Sequence, residues 1–341
     1  MLDHCDNNEI KTEMDKCKTY INDVLQRDET FTEEMLTRVA PAGNSFMRGA
    51  LLKLGNPRQT LARMHALIKR LCDELNTLCT RVERGDFPAR LYDEESYYLM
   101  LYRWETLDRD FVKDGQYDLS KVPELHDMCR YDVLHNHHVG MGYLDELFHL
   151  SDMFADCVVP QEYGISIPDK RIIGAKMCHA LVQKIMNDLK VAISGGTQND
   201  MAFELDHSHG DDLRIRTPGR RVRTRLYFTS ESHLYTLLNV LMYLPEEGTE
   251  VVSRRGMRIL DKTSELAYLT QISFRLFDIQ SKVIGDPDRF KCEISFSPGA
   301  STDPCEDKTG SVSPSITLTK SINCSDLLNC FAAAGILAGI V

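Results

Sequence analysis

Most of the chain follows a helical pattern of apolar and polar positions. After residue 57, apolar side chains recur at intervals of three and four between charged ones: Leu61, Met64, Leu67, Ile68, Leu71, Leu75, Leu78 and Val82. This spacing places them on one face of a helix. Shorter runs of the same kind lie at residues 21–25, 98–107, 144–154 and 173–189. We therefore predict a series of amphipathic helices over the first two hundred residues.

The pattern changes after residue 196. The short β-prone run at residues 226–228 (LYF) predicts a strand. Helical spacing then returns at Leu234, Leu237, Leu238 and Leu241. A second helix is predicted through Leu266, Leu269 and Ile272. The alternation of Phe290, Cys292, Ile294 and Phe296 predicts a strand that ends at residues 297–299 (SPG).

The last segment of the chain combines a polar stretch with an apolar end. From residue 300 the sequence is rich in Ser, Thr, Pro and Asp, and it finishes with the apolar run at residues 331–341. We predict that residues 304–341 form a disordered tail that can be removed without loss of stability. The apolar run falls well short of the ~20 residues that cross a bilayer. No membrane span is therefore expected.

Composition and charge exclude several classes of protein. Of the 341 residues, 43% are hydrophobic and 27% are charged, which is typical of a folded globular chain. The net charge of −11 argues against a protein that coats nucleic acid, so no nucleic-acid partner is expected. The 11 cysteines are dispersed and odd in number. With no secretory signal at the start, they indicate reduced thiols and a cytosolic protein.

One short segment carries a strong positive charge. Six arginines and no lysine lie between residues 214 and 225: Arg214, Arg216, Arg220, Arg221, Arg223 and Arg225. Guanidinium groups bind phosphate oxygens in bidentate geometry and stay charged at any relevant pH. The segment is therefore a candidate site for a ligand with several phosphates. An exposed loop paired with acidic neighbours is the alternative, and charge alone does not decide between them.

The position of the arginine segment favours the phosphate site. It precedes residues 229–233 (TSESH), where a helix is predicted to begin. The free N–H groups and the positive dipole at a helix start attract phosphate. His233 in the first turn could donate a proton to phosphate or to a leaving oxygen. Alternatively, Ser230 or Ser232 caps the helix and His233 is a surface residue.

A cluster of imidazoles offers a less specific signal. Residues 135–138 (HNHH) contain three histidines, but neighbouring loop residues rarely converge on one ion, and no cysteine pair stands at zinc spacing. We predict that this stretch is a loop. No metal site is predicted.

Residues 221–233 (RVRTRLYFTSESH) closely resemble the second signature of the phosphatase-like domain in Vip-type diphosphoinositol pentakisphosphate kinases. Five further stretches resemble the same family: 116–123 (QYDLSKVP), 130–136 (RYDVLHN), 159–165 (VPQEYGI), 265–272 (ELAYLTQI) and 295–300 (SFSPGA). The resemblance covers roughly residues 15–303. It implies an α/β fold in which a partial histidine-phosphatase-like core carries a large helical insert. The implied division is an insert at 1–200, a returning strand and helix segment of the core at 201–303, and the tail at 304–341.

The resemblance also implies a function and a set of site residues. In this family an ATP-grasp kinase half phosphorylates inositol hexakisphosphate or its 5-diphospho derivative at the 1-position, and a histidine-acid-phosphatase-like half removes that group. Inositol polyphosphates and diphosphoinositol phosphates are therefore the expected partners. By resemblance, His233 and Glu231 are the catalytic candidates, although the order of acid and histidine differs from the acid phosphatase signature. The substrate-binding candidates are Arg220, Arg221, Arg223, Arg225, Ser230 and Ser232.

Several parts of the family pattern have no counterpart here. The sequence contains no R-H-x-x-R-T-P loop with the nucleophilic histidine, no S-D-E-G-R segment and no kinase half; the Arg216-Thr217-Pro218 tripeptide lacks the preceding Arg-His pair. We expect these segments upstream of Met1, with ATP and Mg²⁺ in the kinase half and no cofactor in this chain. Whether the chain is itself an enzyme stays open, and we expect it to be inactive alone. The alternatives are a non-catalytic module that binds inositol polyphosphate or acts as a scaffold, and a helical interaction protein whose arginines contact an acidic partner.

Overall fold

The structure is a computed structural model that describes residues 8–41, 43–86, 90–194, 224–263, 266–283, 285–300, 303–307, 309 and 311–339. Twelve α-helices lie within these residues: α1 Asn8–Leu25, α2 Glu33–Val39, α3 Ser45–Leu54, α4 Pro57–Glu83, α5 Tyr97–Phe111, α6 Val122–His135, α7 Leu144–Val158, α8 Ile167–Met177, α9 His179–Ser194, α10 Glu231–Tyr243, α11 Arg254–Leu260 and α12 Cys324–Leu337. The described strands are β1 Val112–Lys113, β2 Gln116–Tyr117, β3 Gln271–Asp278, β4 Phe290–Ser297 and β5 Ile316–Asn323.

The longest helix, α4, confirms the strongest prediction from the sequence. Asn56 is its N-cap, because the Asn56 side chain accepts a hydrogen bond of 3.1 Å from the backbone N–H of Gln59, and Pro57 occupies the first turn. The predicted apolar face is buried from Leu61 to Leu78. Burial of this face against α5 and α7 therefore fixes the helix in place.

A buried ionic network around Asp132 joins α5 and α6, which belong to the helical layer formed by α1 to α7. This fully buried carboxylate on α6 accepts hydrogen bonds from Arg103 Nη2 at 2.6 Å, Trp104 Nε1 at 2.8 Å and Asn136 Nδ2 at 2.8 Å. Arg103 also pairs with Glu95 at 2.8 Å. Asp132 and Asn136 of the family-like stretch 130–136 therefore stabilise the fold.

The described residues form two hydrophobic cores that follow one another along the chain. The first core contains buried residues from Cys17 to Ile173, and the second contains those from Ala175 to Ala334. The cores therefore divide inside α8. The helix α9 packs with the second core, and this part of the fold, which includes the sheet β3-β4-β5, is called the sheet half below. The predicted domain boundaries, with a division near residue 200, stay a prediction.

A three-stranded antiparallel sheet in the order β3-β4-β5 belongs to the second core. Ile272 of β3 lies opposite Phe296 of β4, and Cys292 of β4 lies opposite Ile322 of β5. The helix α12 packs against this sheet and against α8 and α9. A mostly helical chain with small sheets confirms the expected α/β class. Among the described residues we find no helix with the length and apolar character needed to pass through a bilayer.

The predicted disordered tail is wrong for its described residues. Strand β5 pairs along β4 and buries Leu318 and Ile322, and α12 buries Leu327 and Phe331 completely. The polar composition of β5 was misleading, because the strand exposes Lys320 and Ser321 to solvent while it buries Leu318 and Ile322 in the core. The apolar terminus is a core helix.

Two further predictions in the second half differ from the structure. The predicted helix through residues 266–272 is wrong, since Ile272 lies in β3, and the helix in this region is α11. Apolar residues three apart fit a helix, but pairing with β4 overrides that local pattern. Residues 224–230 form no strand ladder among the described residues, although their exposure alternates with period two and leaves Leu226 and Phe228 at 76% and 91% exposed.

The predicted helix at residues 173–189 is divided in two. α8 ends at Met177, and α9 begins at His179. The fully buried Cys178 lies at the junction. Its Sγ donates a hydrogen bond of 3.7 Å to the backbone oxygen of His233, so the break is where α8 and α9 meet the start of α10.

Candidate functional site

The start of α10 brings three of the predicted site residues together. Ser230 has the extended backbone of an N-cap residue (φ −79°, ψ 161°), but its side chain forms no capping bond to the helix. Its Oγ lies instead 2.7 Å from Ser232 Oγ and 2.8 Å from His233 Nδ1. The hydroxyl group of Ser230 therefore orients the imidazole of His233 at the positive end of α10.

Hydrogen bonds of Thr236 and close helix packing hold the backbone of this helix start in place. The Thr236 hydroxyl donates to the backbone oxygens of Ser232 at 2.7 Å and of His233 at 3.2 Å. Close packing of α8 against α10 adds to this, since a Cβ on Gly174 would lie 3.0 Å from the Cβ of Asn239. The backbone at His233 is therefore fixed by the core, as a positioned catalytic group requires.

Glu231 projects away from His233, because residues two apart in a helix lie on different sides. Its carboxyl group is partly buried, and its Oε1 has no hydrogen-bond partner within the described part of the chain. Burial, followed by the negative charges of Asp127 and Glu162, raises the pKa of Glu231 to about 7. A carboxyl group with this pKa holds a proton near neutral pH and is suited to general acid catalysis.

The two acidic neighbours of Glu231 come from the helical layer and were not predicted from the sequence. Asp127 lies on α6, and burial raises its pKa as well. Glu162 lies in the 3₁₀ turn at Pro160–Tyr163 and pairs with Lys18 at 3.0 Å. The stretch 159–165 resembles the family, but nothing in the sequence links Glu162 to Glu231.

An ion pair holds the side chain of Arg225 against α9. Its Nε lies 3.3 Å from Asp188 Oδ1, and the Tyr227 hydroxyl group donates to the other oxygen of the same carboxylate. The ammonium group of Lys184 lies 5.8 Å from the centre of the Tyr227 ring. Arg225 is thus tied to an acidic partner on α9.

The other predicted arginines, Arg220, Arg221 and Arg223, lie outside the described residues. The histidine stretch is described and confirms the predicted loop only in part: His135 ends α6, whereas His137–Val139 form a 3₁₀ turn between α6 and α7. The rings of His137 and His138 are 6.2 Å apart and perpendicular.

A small cavity beside α10 contains a buried amine. The cavity measures about 80 Å³, and Lys170, Asn239, Tyr243 and Asp261 are among its lining residues. Burial lowers the pKa of Lys170 to about 8, and its Nζ lies 5.3 Å from the centre of the Tyr243 ring. Gly164 makes this packing possible: its φ is +123°, and a Cβ there would lie 2.5 Å from the backbone N of Lys170.

Comparison with known proteins agrees with the resemblance seen in residues 221–233. Residues 6–292 match the family described as "Histidine phosphatase superfamily (branch 2)". The chain is 37% identical over 302 residues to a Xenopus laevis protein named "Inositol hexakisphosphate and diphosphoinositol-pentakisphosphate kinase 2", and 36% identical over 298 residues to the Homo sapiens protein of that name. Each comparison covers 86% of this chain, but only 26% and 23% of the relative.

A more distant relative gives the same result. The protein from Arabidopsis thaliana named "Inositol hexakisphosphate and diphosphoinositol-pentakisphosphate kinase VIP1" is 34% identical over 264 residues, which cover 62% of this chain and 25% of the relative. The chain thus spans about a quarter of the length of the curated relatives it matches. No solved structure matches it. The match over residues 6–292 shows that the chain belongs to the histidine phosphatase superfamily (branch 2), and its sequence resembles the phosphatase-like part of the Vip-type kinases.

Proposed function

We propose that this chain is part of an inositol pyrophosphate phosphatase half, and that the start of α10 binds a phosphate of the substrate. The observation that carries the proposal is that the first turn of α10 holds both an oriented histidine and a carboxyl group that keeps its proton near pH 7. His233 is oriented by Ser230 at 2.8 Å, and Glu231 has a pKa of about 7. The names of the relatives, which include inositol hexakisphosphate and diphosphoinositol pentakisphosphate, support the choice of substrate.

Each residue has a defined task in this proposal. The dipole of α10 and the imidazole of His233 stabilise the negative phosphate oxygens. Glu231 donates its proton to the oxygen that leaves when the P–O bond breaks. Because Glu231 and His233 lie on different sides of the helix start, the substrate must contact both sides. Burial, and after it the negative charges of Asp127 and Glu162, keeps Glu231 protonated until that step.

The nucleophile is assigned to another segment of the parent protein. Transfer through a phosphohistidine needs a histidine in an arginine-rich loop, and this sequence has no counterpart of that motif. We therefore assign the nucleophile, the kinase activity, ATP and Mg²⁺ to upstream segments, with no cofactor in this chain. We also assign the protein to the cytosol, since the ten cysteines in the described part of the chain are all free thiols.

Ligand binding tests the phosphate site. Calorimetry on the full chain should show that inositol hexakisphosphate binds far more tightly than inorganic phosphate. Changing both Arg223 and Arg225 to glutamine should weaken that binding at least tenfold, because each charge-assisted contact contributes about 1.5 to 3 kcal/mol. Arg225→Gln alone should have the smaller effect, since Arg225 must first leave Asp188. Unchanged affinity in the folded double variant would overturn the site.

Phosphate release tests the catalytic roles. The chain alone should release no phosphate from 1-diphosphoinositol phosphates, whereas a longer protein with the upstream segments should do so. His233→Ala in the longer protein should abolish release, while the loop variant His137→Ala should keep it. Turnover by the chain alone contradicts the division between segments, and an active His233→Ala variant contradicts the role of His233.

A non-catalytic inositol polyphosphate module is the second candidate. The Arg225–Asp188 pair favours it, because an arginine already bonded to a carboxylate is not poised for the substrate. A longer protein that binds inositol hexakisphosphate but never releases phosphate would identify this case. Equal binding of inorganic phosphate and inositol hexakisphosphate would instead point to a helical interaction protein with an acidic partner.

A further inference from the structure

Three side chains from distant parts of the chain converge on the surface of α7. The ligand atoms of His149, Asp303 and Cys305 all lie within 4.8 Å of one another. His149 belongs to the helical layer, whereas Asp303 and Cys305 lie between β4 and β5 of the sheet half. The cluster therefore joins the helical layer to the sheet half, and it does not arise from the spacing of residues within one helix.

A fourth side chain lies beside this cluster. Asp145 stands one turn before His149 on the same face of α7, and its charge, like that of Asp303, acts on the Cys305 thiol. Asp303 is itself positioned by the local turn, since its Oδ1 accepts from the backbone N–H of Cys305 at 2.8 Å. The thiol therefore has two carboxyl groups and an imidazole as neighbours.

This donor set has the chemistry of a zinc site. Zinc binds thiolate sulfur, imidazole nitrogen and carboxylate oxygen in four-coordinate geometry, whereas calcium and magnesium prefer oxygen ligands alone. Carboxylates also outnumber the cations nearby, because Asp152 lies near Asp303 in addition to Asp145, and the nearby cations on neighbouring helices are Arg130 and Lys53. A divalent cation would offset the repulsion among these carboxylates.

We propose that Asp145, His149, Asp303 and Cys305 form a structural zinc site that fastens residues 303–307 to α7. On binding, the Cys305 thiol releases its proton to solvent and the sulfur forms a bond to zinc, with no change in oxidation state. Cys305 already packs against the helical core. The ion would therefore connect the loop between β4 and β5 to the helical layer.

Metal titration of the full chain tests this proposal. The protein is stripped with a chelator and titrated with Zn²⁺ alone, and bound metal is measured by elemental analysis. One zinc per chain and a higher melting temperature are expected. Co²⁺ in its place should give the charge-transfer absorption of a cobalt–thiolate bond. A chain that retains no stoichiometric zinc, or cobalt without thiolate absorption, overturns the proposal.

Matched variants show where the metal binds. Cys305→Ser should abolish the thiolate absorption, and His149→Ala should weaken zinc binding at least about tenfold. Cys72→Ser, at another partly buried cysteine, and His137→Ala, at another exposed histidine, should leave both measurements unchanged. Because His149 is exposed, its variant tests the site even if Cys305→Ser does not fold. Zinc binding that survives His149→Ala unchanged, or that is lost in a control variant, refutes the assignment.

Discussion

Replacing Glu231 with glutamine should stabilise the protein at neutral and alkaline pH. The pKa of Glu231 rises from its usual 4.5 to about 7, first because of burial and then because of the charges on Asp127 and Glu162. Between these two pH values the folded state holds a proton that the unfolded chain has lost. The free energy of unfolding therefore falls as pH rises through this window and stays lower above it. Glutamine keeps the shape of the side chain but cannot ionise, so it removes this loss.

The pKa shift sets the size of the effect. One pKa unit corresponds to about 1.4 kcal/mol, so the rise from 4.5 to about 7 gives an upper limit of about 3.4 kcal/mol above pH 7. Glu231 is only partly buried, and solvent screens part of its repulsion from the two carboxylates. We therefore expect Glu231→Gln to stabilise the fold by about 1 to 2 kcal/mol at pH 8. At pH 5, only half a unit above the usual pKa, about a quarter of the difference should remain.

Urea unfolding followed by circular dichroism at pH 5 and pH 8 measures both values. The control is Glu247→Gln, because Glu247 is exposed in the connection after α10 and should give no difference at either pH. If Glu231→Gln is no more stable than the parent at pH 8, Glu231 is not the desolvated acid described above. In the longer protein, the same substitution should lower phosphate release while raising stability, since it removes the proposed proton donor.

Two further predictions concern the fold. Arg103→Met should lower the free energy of unfolding in urea by about 3 to 5 kcal/mol, because it leaves the fully buried Asp132 without its cation. Arg254→Met, in an exposed ion pair, should lower it by less than about 1 kcal/mol, and equal effects would contradict the network. Removing the residues after Asp307 should abolish cooperative unfolding of the sheet half, since it exposes the edge of β4 and removes four buried side chains: Leu318, Ile322, Leu327 and Phe331. Burial of each of these side chains contributes about 1.5 to 3 kcal/mol to stability. A truncated chain that melts within about 2 °C of the parent would restore the disordered-tail prediction.

The local sequence determined the elements whose stability depends on their own periodicity. α4 was predictable because Asn56 supplies a cap and its apolar residues fall on one face. α10 was predictable from its helical apolar spacing, β4 from its alternation, and the position of Ser230, Ser232 and His233 from the start of that helical spacing. Contacts within three or four residues, such as the bond from Ser230 to His233, follow from helix geometry alone.

The tertiary structure decided whatever depends on distant partners. Polar β5 is a strand because β4 offers it a ladder and a core, while the β-prone run at residues 226–228 has no ladder in the described part of the chain. Likewise, the pKa of Glu231 depends on Asp127, which lies about a hundred residues earlier in the chain, and Arg225 is bonded to Asp188 on another helix. Burial and charge at a site are summed over neighbours in space, so a pattern read along the chain cannot supply them.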